Sequence, residues 1–256
     1  MDSTAGTAPP RLTRLTFHGP FSEERAARMI DRLARTEPRT ILDIGCGWGE
    51  FLLRTLAATP GATGVGVDLN EEDIARGRAL AAARGLDERV TFHAESGVAT
   101  TRGPADLVLC FGASHALSDT QPPGHTAAAL EALRGLVNPG GRVVLGEGFW
   151  ERTPTPAELA AMWPDASPDE HPSLAGLVDL AVAAGFRPEW IESAGVDEWE
   201  EFESGYRADV EEWLAHHSTH PAAEETRARV DQQRSRWLRG YRGVLGIAYL
   251  TLVPVA

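Results

Sequence analysis

Between Asp43 and Gly49 the chain carries one acid and three glycines in the pattern Asp43-x-Gly45-x-Gly47-x-Gly49. An apolar run ending Ile41-Leu42 leads in, and Glu50-Phe-Leu-Leu-Arg-Thr-Leu56 reads as the helix that leads out. Glycine has no Cβ, so a strand-to-helix turn built from it lets a ligand approach the backbone closely. The helix behind the turn directs its unpaired amides and the positive end of its dipole at that ligand. Spacing narrows the ligand class. A dinucleotide fingerprint needs glycine at the first, third and sixth positions, but the sixth position from Gly45 is Glu50. A P-loop ends in Gly-Lys-Ser/Thr, and the chain contains no lysine.

Acids recur at the ends of later apolar runs. Gly64-Val-Gly-Val-Asp68-Leu69 places a carboxylate about twenty residues past the turn, where it accepts hydrogen bonds from ribose hydroxyls. Arg89-Val-Thr-Phe-His-Ala94 runs into Glu95-Ser96, Ala105-Asp-Leu-Val-Leu-Cys-Phe111 ends at Gly112, and Leu136-Val-Asn-Pro-Gly-Gly-Arg-Val-Val-Leu145 turns into a fifth strand. In this order the signals resemble the class I S-adenosylmethionine-dependent methyltransferases, over residues 20–195 and the last strand near 244–253. The resemblance implies S-adenosylmethionine as cofactor and S-adenosylhomocysteine as product. It implies that Asp43 lies near the methionine amino group, that Asp68 and Leu69 hold the ribose region, and that Glu95 and Ser96 lie near adenine. Gly45, Cys46, Gly47, Gly49, Phe111 and Gly112 complete the expected cofactor set.

Further candidates sit where strands four and five end, the side on which an open α/β sheet binds ligands. Gly112-Ala-Ser114-His115 follows strand four. His115 suits a general base that takes a proton from the methyl acceptor; a pocket-shaping histidine is the other reading, and Ser114 is a substrate contact. Gly146-Glu147-Gly-Phe149-Trp150 is expected to follow strand five. With Pro154-Thr-Pro-Ala-Glu158 it resembles a subgroup of poorly characterised bacterial small-molecule methyltransferases. Glu147 suits orienting a polar group or taking a proton; Phe149 and Trp150 suit a substrate wall or an anchor to the core. The pair His216 and His220 shares a helix face but lacks a third metal ligand, so no metal is expected. Strand four also lacks the Asn/Asp-Pro-Pro-Tyr/Phe of base-amino methyltransferases, and neither cysteine has the preceding proline of cytosine-C5 enzymes.

The elements that must position these residues alternate along the chain. Ser22 caps a helix over 22–34; helices over 71–84, 125–137 and 174–184 separate the strands, and Phe186–Ser193 is strand six. Alternation implies a parallel sheet with right-handed crossovers. The expected fold is α/β, Rossmann-like and doubly wound: a mostly parallel seven-stranded sheet, helices on both faces, and a helical insertion before the last strand. Residues 1–20 are expected to be a flexible N-terminal tail and 21–256 one methyltransferase domain, with 197–240 a lid. In the insertion Trp199, Phe202, Tyr206, Val210 and Trp213 recur at helical spacing. The stripe reads as core, and Tyr206 is a candidate substrate contact. An acidic first helix faces a second rich in arginine.

The chain has 256 residues and a net charge of −13. That charge opposes nucleic-acid binding, which needs a basic footprint. Without lysine, Schiff-base chemistry with a carbonyl substrate or pyridoxal phosphate is excluded. The cysteines Cys46 and Cys110 make no disulfide framework, no secretory signal pattern opens the chain, and no apolar run spans a bilayer. These features imply a cytoplasmic protein with no membrane partner, as monomer or homodimer. The function expected is methyl transfer to an O, N, S or C nucleophile of a small molecule. A protein or carrier-bound acceptor, and a non-catalytic S-adenosylmethionine-binding protein, are the alternatives.

Overall fold

The computed structural model describes residues 9–10 and 14–255. Seven strands form one sheet: β1 (Thr40–Ile44), β2 (Thr63–Asp68), β3 (Val90–Ala94), β4 (Ala105–Phe111), β5 (Val137–Trp150), β6 (Phe186–Ser193) and β7 (Leu245–Pro254). Their order in space is β3-β2-β1-β4-β5-β7-β6. Strands β1 to β5 pair in parallel, and β7 runs antiparallel to both neighbours. The topology is that of the expected Rossmann-like fold.

Local chemistry sets the helices. In α1 (Glu23–Ala34) the Ser22 hydroxyl accepts from Arg25 N, and in α3 (Glu71–Ala83) Asn70 caps Glu72 and Asp73. On one face of the sheet, α4 (His125–Leu136) and α6 (Leu174–Ala183) pack on Leu145, Phe149, Ala248 and Leu250. On the other, α1, α3 and α2 (Glu50–Ala58) pack on Leu107, Leu109, Val144 and Tyr249. Strand alternation therefore assigns odd positions of β5 to one face and even positions to the other.

A short helix, α5 (Pro156–Ala161), precedes α6, and the insertion is α7 (Val196–His216), α8 (Ala223–Arg236) and a π-helical turn, Trp237–Tyr241. Val210, Trp213 and Leu214 pack on Ala223 and Val230, which joins the two long helices. Glu203, 1% exposed, accepts from Arg207 at 2.8 Å and from the Tyr241 hydroxyl at 2.5 Å. Burial raises its pKa despite those partners. Trp150, Met162, Trp237 and Tyr241 share a further apolar cluster.

Two boundaries differ from the sequence reading. Strand β5 does not stop near Leu145 but runs to Trp150, because β7 supplies partners up to Leu245. The 1–20 segment, expected as a tail, is partly structural wall: Leu15 is buried, and the Trp48 indole donates to Thr16 O at 3.1 Å. Aromatic burial explains this, since Phe17 meets Phe21, and Phe21 meets Tyr249 at 4.8 Å. Residues 1–8 and 11–13 of that segment lie outside the described residues.

Candidate active site

The glycine turn links β1 to α2. Gly45, Gly47 and Gly49 have φ of 67°, 53° and 69°, the left-handed region that glycine alone enters without strain. Gly45 N and Cys46 N donate to Val67 O, and Gly47 N donates to Asp68 Oδ2 at 2.8 Å. Asp68 Oδ1 accepts from Asn70 N at 2.8 Å, so this carboxylate ties the turn to the end of β2. A Cβ on Gly45 would stand 2.2 Å from the Ala113 Cβ, whereas beside Gly112, with φ of 63°, there is open space.

A cavity of about 280 Å³ lies against this turn. Asp43, Gly45, Cys46, Phe111 and Gly112 border it, with Trp48, Phe51, Tyr249, the segment Thr16–Phe21, and Trp199 and Phe202 of α7. Its wall is an aromatic cluster: Phe51 and Phe111 lie 4.9 Å apart, and Phe21 and Phe111 5.5 Å. Asp43 is 3% exposed, and burial, then the Asp68 charge, raises its pKa well above the carboxylate range. Burial also pushes the Cys46 and Cys110 thiols up, so both are neutral packing groups.

Asp68, Leu69, Glu95 and Ser96 lie outside the cavity, at the ends of β2 and β3. Leu69 is 71% exposed, an apolar surface beside Asp68. Glu95 makes a bidentate pair with Arg102, whose hydrogen bonds lower its pKa, and Ser96 accepts from Val98 N.

The residues expected to handle the acceptor are not gathered in the cavity. His115 is exposed on a short 3-10 turn, Ser114–Ala116, and Ser114 is buried beside it. Phe149 is buried in the α4/α6 core, and the Trp150 indole donates to Pro168 O at 2.9 Å, so both are anchors and not substrate walls. The cause is the extra length of β5, which carries them into the sheet. Tyr206, 44% exposed, touches Phe202 but does not border the cavity. His220 Nδ1, of the His216/His220 pair, accepts from Ala222 N, and the neighbouring His217 ring meets Trp213 O.

Glu147 is 5% exposed and stands on the α4/α6 face of the sheet, with the odd residues of β5. Burial raises its pKa, against hydrogen bonds from Ser114 and Gly148 N. Its neighbours are His125 and His171, two residues that sequence reasoning missed. Burial, then the other ring, lowers the His171 pKa to about 4, and burial also lowers that of His125. In both rings the neutral form is favoured. The missed signals are the Phe17/Phe21 pair and a glycine on either side of Glu147; for His125 and His171 the sequence offers none.

A family model for a methyltransferase domain matches residues 42–143, from β1 into β5. YjhP of Escherichia coli (strain K12) is 30% identical over 239 residues, 93% of either chain. Crystal structures of S-adenosylmethionine-dependent methyltransferases from Geobacter sulfurreducens and Thiobacillus denitrificans, both in complex with S-adenosylhomocysteine, align with TM-scores of 0.80 and 0.79. Identities are 26% and 25%, over 96% of this chain and 98% of theirs. The chain belongs to the S-adenosylmethionine-dependent methyltransferases. Its cofactor is S-adenosylmethionine, and the residues of this methyltransferase fit that group. The buried Asp43 carboxyl, which borders the cavity, is compatible with a cationic group such as an ammonium. The glycine turn and the open space at Gly112 leave room for the sulfonium end, and Asp68 with Leu69 offers acceptors and an apolar surface for the nucleoside.

Proposed function

We propose that this methyltransferase acts on a small molecule held in the aromatic cavity between the glycine turn, the Thr16–Phe21 segment and α7. The observation that carries this reading is the roof: Trp199 and Phe202 of α7 and Phe17 and Phe21 of the N-terminal segment border the same cavity as Gly45 and Gly112. A roofed aromatic chamber suits a compact, partly apolar acceptor. The net charge of −13 supports the same reading against nucleic acid.

S-adenosylmethionine, when bound, supplies an electrophilic methyl group on a sulfonium sulfur. The chain's contribution is position and dryness. Asp43 and the glycine turn, whose missing side chains admit the ligand close to the backbone, position the methionine end, and the aromatic wall excludes water and aligns the acceptor nucleophile with the methyl carbon. Phe21, Phe111 and Tyr249 border the cavity, and aromatic rings favour a cationic centre. The lid assignment rests on Arg25 of α1, whose guanidinium lies over the Tyr249 ring and pairs with Glu198 of α7.

The test is a turnover screen with methyl-labelled S-adenosylmethionine over a diverse metabolite extract, read by mass spectrometry. Label should appear in a low-molecular-weight product, and Phe202→Ala should weaken acceptor binding more than cofactor binding. Label confined to protein would overturn the reading in favour of a carrier or protein acceptor. Cofactor binding without any transfer would favour the non-catalytic alternative.

A further inference from the structure

On the face of the sheet opposite the cavity, three side chains from separate segments converge. His125 opens α4, Glu147 stands on β5, and His171 lies ahead of α6. One ligand atom from each lies within 4.8 Å of the others. Each residue also has a buried polar atom without a hydrogen-bond partner: His125 Nδ1, Glu147 Oε2 and His171 Nδ1. An unpaired buried polar group is costly, and three in one cluster point to a missing shared ligand.

The surroundings are built to hold these groups in place. Glu147 Oε1 is engaged by Gly148 N at 3.1 Å, and the Ser114 hydroxyl bonds the same carboxylate, which leaves Oε2 open. Such outer hydrogen bonds orient a ligating carboxylate. A Cβ on Gly148 would meet the His171 ring at 2.8 Å, so the glycine is what lets the imidazole approach the strand. Trp150 contacts the same ring edge-on at 5.0 Å, while its indole secures the loop at Pro168.

We propose that His125, Glu147 and His171 bind one divalent ion of the zinc class. Two imidazoles and one carboxylate are the donor set of three-ligand zinc sites whose fourth position stays open. Magnesium and calcium prefer oxygen donors throughout and would use these nitrogens poorly. Bonds of about 2.0–2.2 Å require only a small inward movement of the side chains. The bound ion ties α4, β5 and the loop before α6 to Ser114, and offers its open position at the carboxyl edge of the sheet. The proposal rests on this cluster alone and is independent of the acceptor's identity.

The probe is zinc itself. Chelator-stripped protein is dialysed against micromolar Zn²⁺, and the metal per chain is counted by elemental mass spectrometry. A His216→Ala, His217→Ala, His220→Ala background removes the imidazoles at the end of α7. The expected result is one zinc per chain in the wild type and in this background, with affinity falling tenfold or more in Glu147→Gln and in His171→Ala. Binding of S-adenosylhomocysteine serves as the check of folding. A wild type that takes up no stoichiometric zinc would overturn the site, as would full uptake by both single variants. Should His171→Ala fail to fold, His125→Asn replaces it, with zinc-induced thermal stabilisation as the readout; stabilisation equal to that of the wild type would count against the proposal.

Discussion

At the residue scale the decisive group is Asp43, a carboxyl buried beside Asp68 with its pKa raised first by burial and then by that neighbour. Without ligand its protonated form is favoured relative to that of a free carboxyl. The methionine ammonium favours the carboxylate, so binding should release a proton, and affinity should rise with pH through the ligand-free pKa of Asp43. Its sign in stability is the reverse. A folded-state pKa above the unfolded value, about 3.9, gives a contribution that is full below that value and lost as pH climbs through the folded one. Asp43→Asn should abolish the buffer-dependent heat of S-adenosylhomocysteine binding and weaken it by roughly 1–3 kcal/mol; an unchanged heat in both buffers would sink the assignment. His115 gives a second test. A base must reach its proton within hydrogen-bond distance, and His115 is exposed and outside the cavity. His115→Ala should therefore retain most turnover at saturating acceptor, and a loss of 10²-fold or more would restore the base role. The turn was legible in sequence because glycines at left-handed positions have no substitute. The His125–Glu147–His171 cluster was not, because no spacing rule connects residues brought together by three different elements.

Among the elements, the contact that matters most for closure joins α1 to α7. Arg25 makes a bidentate pair with Glu198 at 2.8 and 2.7 Å, and Glu198 also accepts from Ser22 N, the Ser22 hydroxyl and Gly195 N. Burial works against the charged form, but these donors outweigh it and hold the Glu198 pKa down to about 2. A depressed carboxylate stabilises the fold above its unfolded pKa, about 4.3, and that stability is lost as pH falls toward 2. Glu198→Gln should flatten this acid limb of a stability–pH curve and cost about 2 kcal/mol at neutral pH. Equal acid sensitivity in the variant and the wild type would show that α7 is held by packing alone. The helix itself was readable from Trp199, Phe202 and Trp213 at helical spacing. Which of them faces the cavity was not, since periodicity defines a stripe and not its partner. Strand β5 shows the same limit: its last residues are buried on both sides, so they have no alternation to mark where the strand stops.

For the whole molecule, the sheet order and the crossovers followed from alternating apolar segments, while the roof of the cavity did not. Thr16–Phe21 has no repeat and precedes the first recognisable helix, yet it joins the Phe111–Tyr249 cluster, and the Tyr249 hydroxyl donates to Pro20 O at 2.9 Å. Arg14 reaches Asp209 and Glu212 of α7, so the segment and the insertion are fastened to each other as well as to the sheet. The cavity wall is thus shared by two pieces distant in sequence, and the proposed acceptor site requires both to yield for entry. Segments with few buried contacts open at lower free energy than core strands. Hydrogen exchange should therefore show the amides of residues 14–21 and 196–203 exchanging faster than those of β1 and β4 in the ligand-free protein. S-adenosylhomocysteine should slow both segments together, because they border one cavity. Phe21→Ala should raise exchange in 196–203 as well as in its own segment, since it removes the ring they share a wall with. If the variant left α7 exchange unchanged, the two pieces would open independently, and the roof would be two separate flaps and not one lid.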